Sequence, residues 1–123
     1  MTLKKLLPDR LHPISVEATP ARVTVEVGGR EVADTRNALT LRESTYPGVQ
    51  YIPLADVLPG VLEPSDHTSY CPFKGHATYY RLAVADSVEP AVWTYLEPYD
   101  AVAAIRGHVA FYPDRVDALV VHG

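Results

Sequence analysis

Valines at 23, 25 and 27 alternate with Thr24 and Glu26, the two-residue period of a strand with one buried face. Gly28-Gly29 follows at once, and Arg30-Glu31-Val32-Ala33-Asp34 runs back. Two glycines supply the positive φ needed at both central positions of a type I′ turn, so this is the clearest hairpin in the chain. Asn37 suits the next turn. Leu39 and Leu41 then alternate with Thr40 and Arg42 in a third strand, and residues 49–52 form a fourth, closed by Pro53. Residues 53–57 have room for a single helical turn. Residues 77–84, with Tyr80, Leu82 and Val84 on one face, then 91–95, 109–112 and 116–121 complete the strand pattern. Between Pro59 and Gly75 the periodicity fails. Pro59, Gly60, Pro64, Pro72 and Gly75 punctuate what reads as one long loop, and long loops in compact domains are usually functional. Asp100 and Gly107 bracket residues 101–106 as N-cap and C′ residues of a short helix.

Eight or nine short strands and one short helix predict a mainly β domain of antiparallel sheets, as a sandwich or a partly open barrel. Pro8, Pro13 and Pro20 mark residues 1–20 as an N-terminal arm, within which residues 14–18 could add an edge strand. Residues 21–123 then form the single domain. A chain of 123 residues, 47% hydrophobic and 21% charged, is long enough to bury a core without staples. No apolar run reaches the roughly 18 residues of a membrane span. A net charge of -4 argues against a non-specific nucleic-acid binder. One cysteine excludes an internal disulfide framework and any multi-cysteine metal site, so no metal or other cofactor is expected. Pro8, Asp9 and Arg10 cut off the N-terminal apolar stretch before it could serve as a secretory signal, and a lone thiol suits a reducing cytoplasm.

The candidate chemistry gathers around Tyr70-Cys71-Pro72-Phe73-Lys74-Gly75. Lys74 is the only lysine outside the arm, and a cation near a thiol favours thiolate. Cys71 is therefore either a reactive thiol or a small buried hydrophobe. His67 and His76 flank it in sequence without any sign that either faces it. The five histidines are too scattered to predict a metal site, and no Asp-x-Asp pair or phosphate-cradling glycine loop is present. Glu43 shares strand parity with Leu39 and Leu41, which places it facing inward and paired unless the strand ends before it. Tyr46, Tyr51, Tyr70, Tyr79, Tyr80, Tyr95 and Tyr99 gather with Trp93 in the middle of the chain. Such side chains line small-molecule pockets as readily as they fill cores.

Three blocks together resemble the bacterial domain-of-unknown-function family numbered 427. They are Leu62-Glu63-Pro64-Ser65-Asp66-His67-Thr68 with Cys71-Pro72-Phe73-Lys74-Gly75 and Tyr79-Tyr80; Val92-Trp93-Thr94-Tyr95 with Ile105-Arg106-Gly107-His108-Val109-Ala110-Phe111-Tyr112; and, upstream, residues 23–27, Ala33-Asp34 and Leu41-Arg42-Glu43. The resemblance covers residues 21–117. It implies a β-tent, in which two antiparallel sheets join along one side and open on the other. Many β-tent relatives carry a zinc knuckle of paired cysteines, which one cysteine cannot build. The family has also been labelled a nucleotidyltransferase domain, but the acidic metal pair of such enzymes is missing.

The expected function is a cytoplasmic β-tent domain binding a small, anionic molecule between its sheets, with Cys71, Lys74, Tyr70, Glu43, Trp93 and Tyr95 lining the site. Two other readings stay open. One is a metal-free enzyme with Cys71 as nucleophile. The other is a protein-interaction module without catalysis, forming a homodimer through an exposed strand edge.

Overall fold

The computed structural model describes residues 3–85 and 88–123. It contains two antiparallel sheets. The first element, β1 (Ile14–Ala18), precedes a hairpin of β2 (Val23–Val27) and β3 (Arg30–Thr35). Next come β4 (Leu39–Glu43), β5 (Val49–Pro53), β6 (Leu62–Cys71) and β7 (Gly75–Leu82). The chain ends with β8 (Val92–Thr94), β9 (His108–Phe111) and β10 (Ala118–Val121). Seven strands form a sheet in the order β1-β4-β5-β9-β8-β7-β6, and three form a second sheet in the order β10-β2-β3.

Local sequence explains most of these elements. Gly28 and Gly29 have φ of +62° and +76°, the primed-turn geometry that lets β2 fold back on β3. Residues 14–18 do form an edge strand, antiparallel to β4 with Ile14 opposite Glu43. The turn after Pro53 is a single 3-10 turn, Leu54–Asp56.

Two sequence expectations are corrected. The stretch from Pro59 to Gly75 is not a long loop, because Leu62–Cys71 is the longest strand of the chain. It lies at the edge of the large sheet, pairs only with β7, and exposes most of its side chains, so no buried face imposes an apolar period on it. An irregularity in its pairing between Pro64 and Thr68 breaks the remaining alternation. The helix expected at residues 101–106 is a pair of 3-10 turns, Asp100–Ile105, merged across a non-helical Val102. Asp100 does not cap it; Tyr99 holds that position with no side-chain bond. Its two buried residues, Val102 and Ile105, are three apart, the repeat of a 3-10 helix, and six residues are too few to sustain an α-helix.

Strand alternation divides the large sheet into two faces. On one, Ile52, Leu82, Val92, Val109 and Phe111 pack against Val23, Val25, Val27, Val32 and Ala33 of the small sheet. On the other, Leu41, Tyr51, Ala77, Tyr95 and Ala110 pack with Val102 and Ile105, and with the half-buried Ile14, Val16, Cys71, Tyr79 and Trp93. Adjacent residues thus go to opposite cores, as Tyr51 and Ile52, Ala110 and Phe111, or Val92 and Trp93 show.

Candidate functional site

The face away from the small sheet holds a cavity of about 310 Å³, lined by Leu41, Glu43, Val49, Tyr51, Lys74, Tyr79, Trp93, Tyr95 and Tyr112, with Tyr46 and Pro47 beside them. Strand register builds it. Tyr51 stands opposite Leu39 across β4–β5, and Tyr79 opposite Trp93 across β7–β8. Ser44, at φ +50°, turns the chain sharply after β4, and the Tyr46 N–H closes that turn on the Glu43 carbonyl at 3.0 Å. The turn returns Tyr46 and Pro47 to the cavity edge.

Glu43 is the charged centre of the site. Its side chain is 16% exposed, and its two oxygens have separate partners. Lys74 Nζ donates to Oε1 at 2.6 Å, and His12 Nε2 lies 2.8 Å from Oε2. Burial disfavours the charged carboxylate, but the bonds from Lys74 and His12 together outweigh it and hold Glu43 below the usual carboxylate range. The strand parity of Leu39, Leu41 and Glu43 therefore has the physical consequence it predicts, an inward carboxylate with cationic company.

Lys74 reaches Glu43 from the turn between β6 and β7. Its N–H closes that turn on the Cys71 carbonyl at 3.2 Å, and its own carbonyl accepts the Tyr99 N–H at 3.0 Å. Gly75 follows with φ +110°, a backbone conformation that L side chains rarely adopt, so this corner favours glycine. The N-terminal arm braces the same turn. The Leu6 N–H donates to the Pro72 carbonyl at 2.9 Å, and the His12 ring stacks on Phe73 with centroids 4.1 Å apart.

The aromatic walls are locked in part by one another. Trp93 Nε1 donates to the Tyr51 hydroxyl at 3.1 Å, and the two rings meet edge to face. Tyr112 lies against Trp93 with centroids 4.6 Å apart. The Tyr79 hydroxyl is 2.8 Å from that of Ser69. Tyr95 differs from these. It is only 6% exposed, yet its hydroxyl has no hydrogen-bond partner among the described residues. The one fully buried side-chain polar atom left unpaired among them is Arg81 Nε, so the Tyr95 hydroxyl keeps some contact with solvent, and Tyr95 is one of the residues lining the cavity. Burial raises both Tyr51 and Tyr95 above the ordinary phenol range, so both are protonated donors at neutral pH.

Of the six residues singled out from sequence, Glu43, Lys74, Trp93 and Tyr95 line this cavity, and Cys71 and Tyr70 do not. Cys71 is half-buried, packed at the margin of the aromatic core, and Lys74 spends its ammonium on Glu43 rather than on the thiol. No histidine nitrogen or carboxylate hydrogen-bonds the Cys71 sulfur among the described residues. Tyr70 bonds outside the cavity instead, to the Lys4 carbonyl and the Tyr99 hydroxyl, each at 2.7 Å. The bond with Tyr99 and then burial push its phenol up to about 12. Sequence reading missed His12, whose approach to Glu43 spans 31 residues and leaves no local trace. It also missed Tyr112, which extending the alternation of β9 beyond Ala110 would have found.

Two antiparallel sheets, no closed barrel, and an aromatic cavity on one face define the class of this domain. The chain belongs to the family described as domain of unknown function (DUF427), whose model matches residues 15–122. No curated protein matches the chain. Among the described residues no three His, Cys, Asp or Glu side chains gather as a metal site requires, and no helix is long and apolar enough to cross a membrane.

Proposed function

We propose that this domain binds a small molecule in the cavity between Glu43–Lys74 and the Tyr51, Trp93 and Tyr95 wall. The observation that carries this reading is Tyr95, a nine-tenths buried side chain that lines the cavity and whose hydroxyl has no protein partner among the described residues. A hydroxyl that keeps contact with solvent and has no protein partner is a polar group that a ligand can take over from water. The volume sits at the lower end of ordinary ligand pockets, about 300–1,000 Å³. Binding rather than catalysis is favoured because Cys71 lies outside the cavity and has no base beside it. A homodimer through the sheet edge is disfavoured at β6, where the irregularity between Pro64 and Thr68 blunts pairing with another chain. The single thiol suits a reducing cytoplasm.

A thermal-shift screen of a metabolite library against wild type and Lys74→Ala tests the reading. Compounds that raise the Tm of wild type and not of the variant are expected. A library that stabilises both proteins equally, or neither, overturns it.

A further inference from the structure

The donors and acceptors around the cavity are not balanced, and the imbalance defines a ligand class, on the reading that the cavity is a small-molecule site. Trp93 Nε1 can only donate, so the Tyr51 oxygen accepts and the Tyr51 hydrogen is left over; no acceptor for it exists among the described residues. The Tyr95 hydroxyl is likewise uncommitted. Lys74 carries three N–H groups and gives one to Glu43. On the acceptor side each Glu43 oxygen already has one partner, and the Tyr79 hydroxyl is bonded to Ser69. The hydrogens of Tyr51, Tyr95 and Lys74 are thus the cavity's uncommitted donors, whereas its one carboxylate is engaged on both oxygens.

We propose that the ligand is a small planar carboxylate, with its ring among Tyr51, Trp93 and Tyr95 and its carboxylate received by the Tyr51 and Tyr95 hydroxyls and the spare N–H groups of Lys74. Two phenols and an ammonium match a carboxylate's several lone pairs, and hydrogen bonds to a charged acceptor are the strong kind. A cationic ligand is the natural competitor in an aromatic site. Here the one carboxylate that would attract it is already engaged by Lys74 and His12, while the spare N–H groups of Lys74 can donate to an acceptor and offer a cation nothing. One face of Trp93 is also taken by Tyr112. The volume of about 310 Å³ keeps the ligand small.

The test is an NMR titration of the full chain at pH 7 with benzoate, benzamide and benzyltrimethylammonium. It is followed at the indole N–H of Trp93, whose signal is unambiguous because the chain has one tryptophan. Benzoate is expected to shift that signal and to bind tenfold or more tightly than the ammonium compound. Tyr95→Phe deletes a hydroxyl that no atom of the described residues bonds, so the variant should fold normally, and it should weaken benzoate about tenfold. Lys74→Met should weaken benzoate at least as much and improve the ammonium compound. If the ammonium compound or benzamide shifts Trp93 as strongly as benzoate does, or if Tyr95→Phe leaves benzoate unaffected, the carboxylate class is wrong while the cavity still binds. If none of the three moves the Trp93 signal, both the class and the site reading fall.

Discussion

The two faces of the large sheet are built from the same strands and do opposite things. The face against the small sheet is almost wholly aliphatic, with Val23, Val25, Ile52, Val92 and Val109 each at or below 2% exposure. The other face uses Tyr51, Tyr79, Trp93 and Tyr95, leaves a cavity among them, and sets an ion pair at its margin. Close packing and a void cannot be had from the same residues, since interiors tolerate few gaps larger than a water molecule. Alternation along each strand lets one sheet have both: residues on one parity hold the domain together, and residues on the other are free to be suboptimal for stability.

If that division is real, mutations on the two faces should separate. Phe111→Ala, at 1% exposure in the inter-sheet core, is expected to cost about 3–5 kcal/mol in urea unfolding. A loss below about 1 kcal/mol, the scale of a surface change, would deny that core its role. Glu43→Gln should cost less, about 2 kcal/mol, by leaving Lys74 half-buried without its counter-charge. Adding Lys74→Met to that variant should restore most of the loss. This second effect has a pH signature. The folded-state pKa of Glu43 lies below its ordinary value of 4.5, so the stabilisation is complete above that value. It is lost as the pH falls through the lower, folded-state pKa. Wild type should therefore lose its advantage over Glu43→Gln only in the acid range, and a gap that stays constant from pH 7 to pH 3 would contradict the pairing. Tyr95→Phe should be the quietest change, within about 0.5 kcal/mol of wild type, because no hydrogen bond among the described residues disappears. A larger destabilisation would reveal a partner for that hydroxyl and close the case for a ligand.

The aliphatic face was the legible one. Period-two valines and a Gly-Gly turn announce β2 and β3 directly, because burial on one side forces alternation and the turn needs positive φ at both glycines. Half of the candidate site was legible for the same reason. Glu43 follows Leu39 and Leu41 in phase, and Trp93 and Tyr95 share a parity on and just past β8. What could not be read came from pairings the local sequence does not encode. An edge strand with one neighbour needs no apolar rhythm, so β6 passed for a loop. Proximity of Lys74 to Cys71 in sequence suggested a thiol site, whereas the turn sends the lysine across to a carboxylate 31 residues away.

The brace formed by the N-terminal arm bears on how this protein can be divided. The family match begins at residue 15, but His12, which takes one oxygen of Glu43 and covers Phe73, precedes it. The Pro13 carbonyl, which receives the Ser44 N–H where the chain turns beside the cavity, precedes it too. A protein trimmed to the family limits would keep every strand of both sheets but β1's first residue, and would look intact by circular dichroism. Its Glu43 would nonetheless have one partner instead of two, and Phe73 a bare ring. The stretch that the family match covers and the stretch that builds the surroundings of Glu43 are of different lengths here, and only the longer one keeps both partners of that carboxylate.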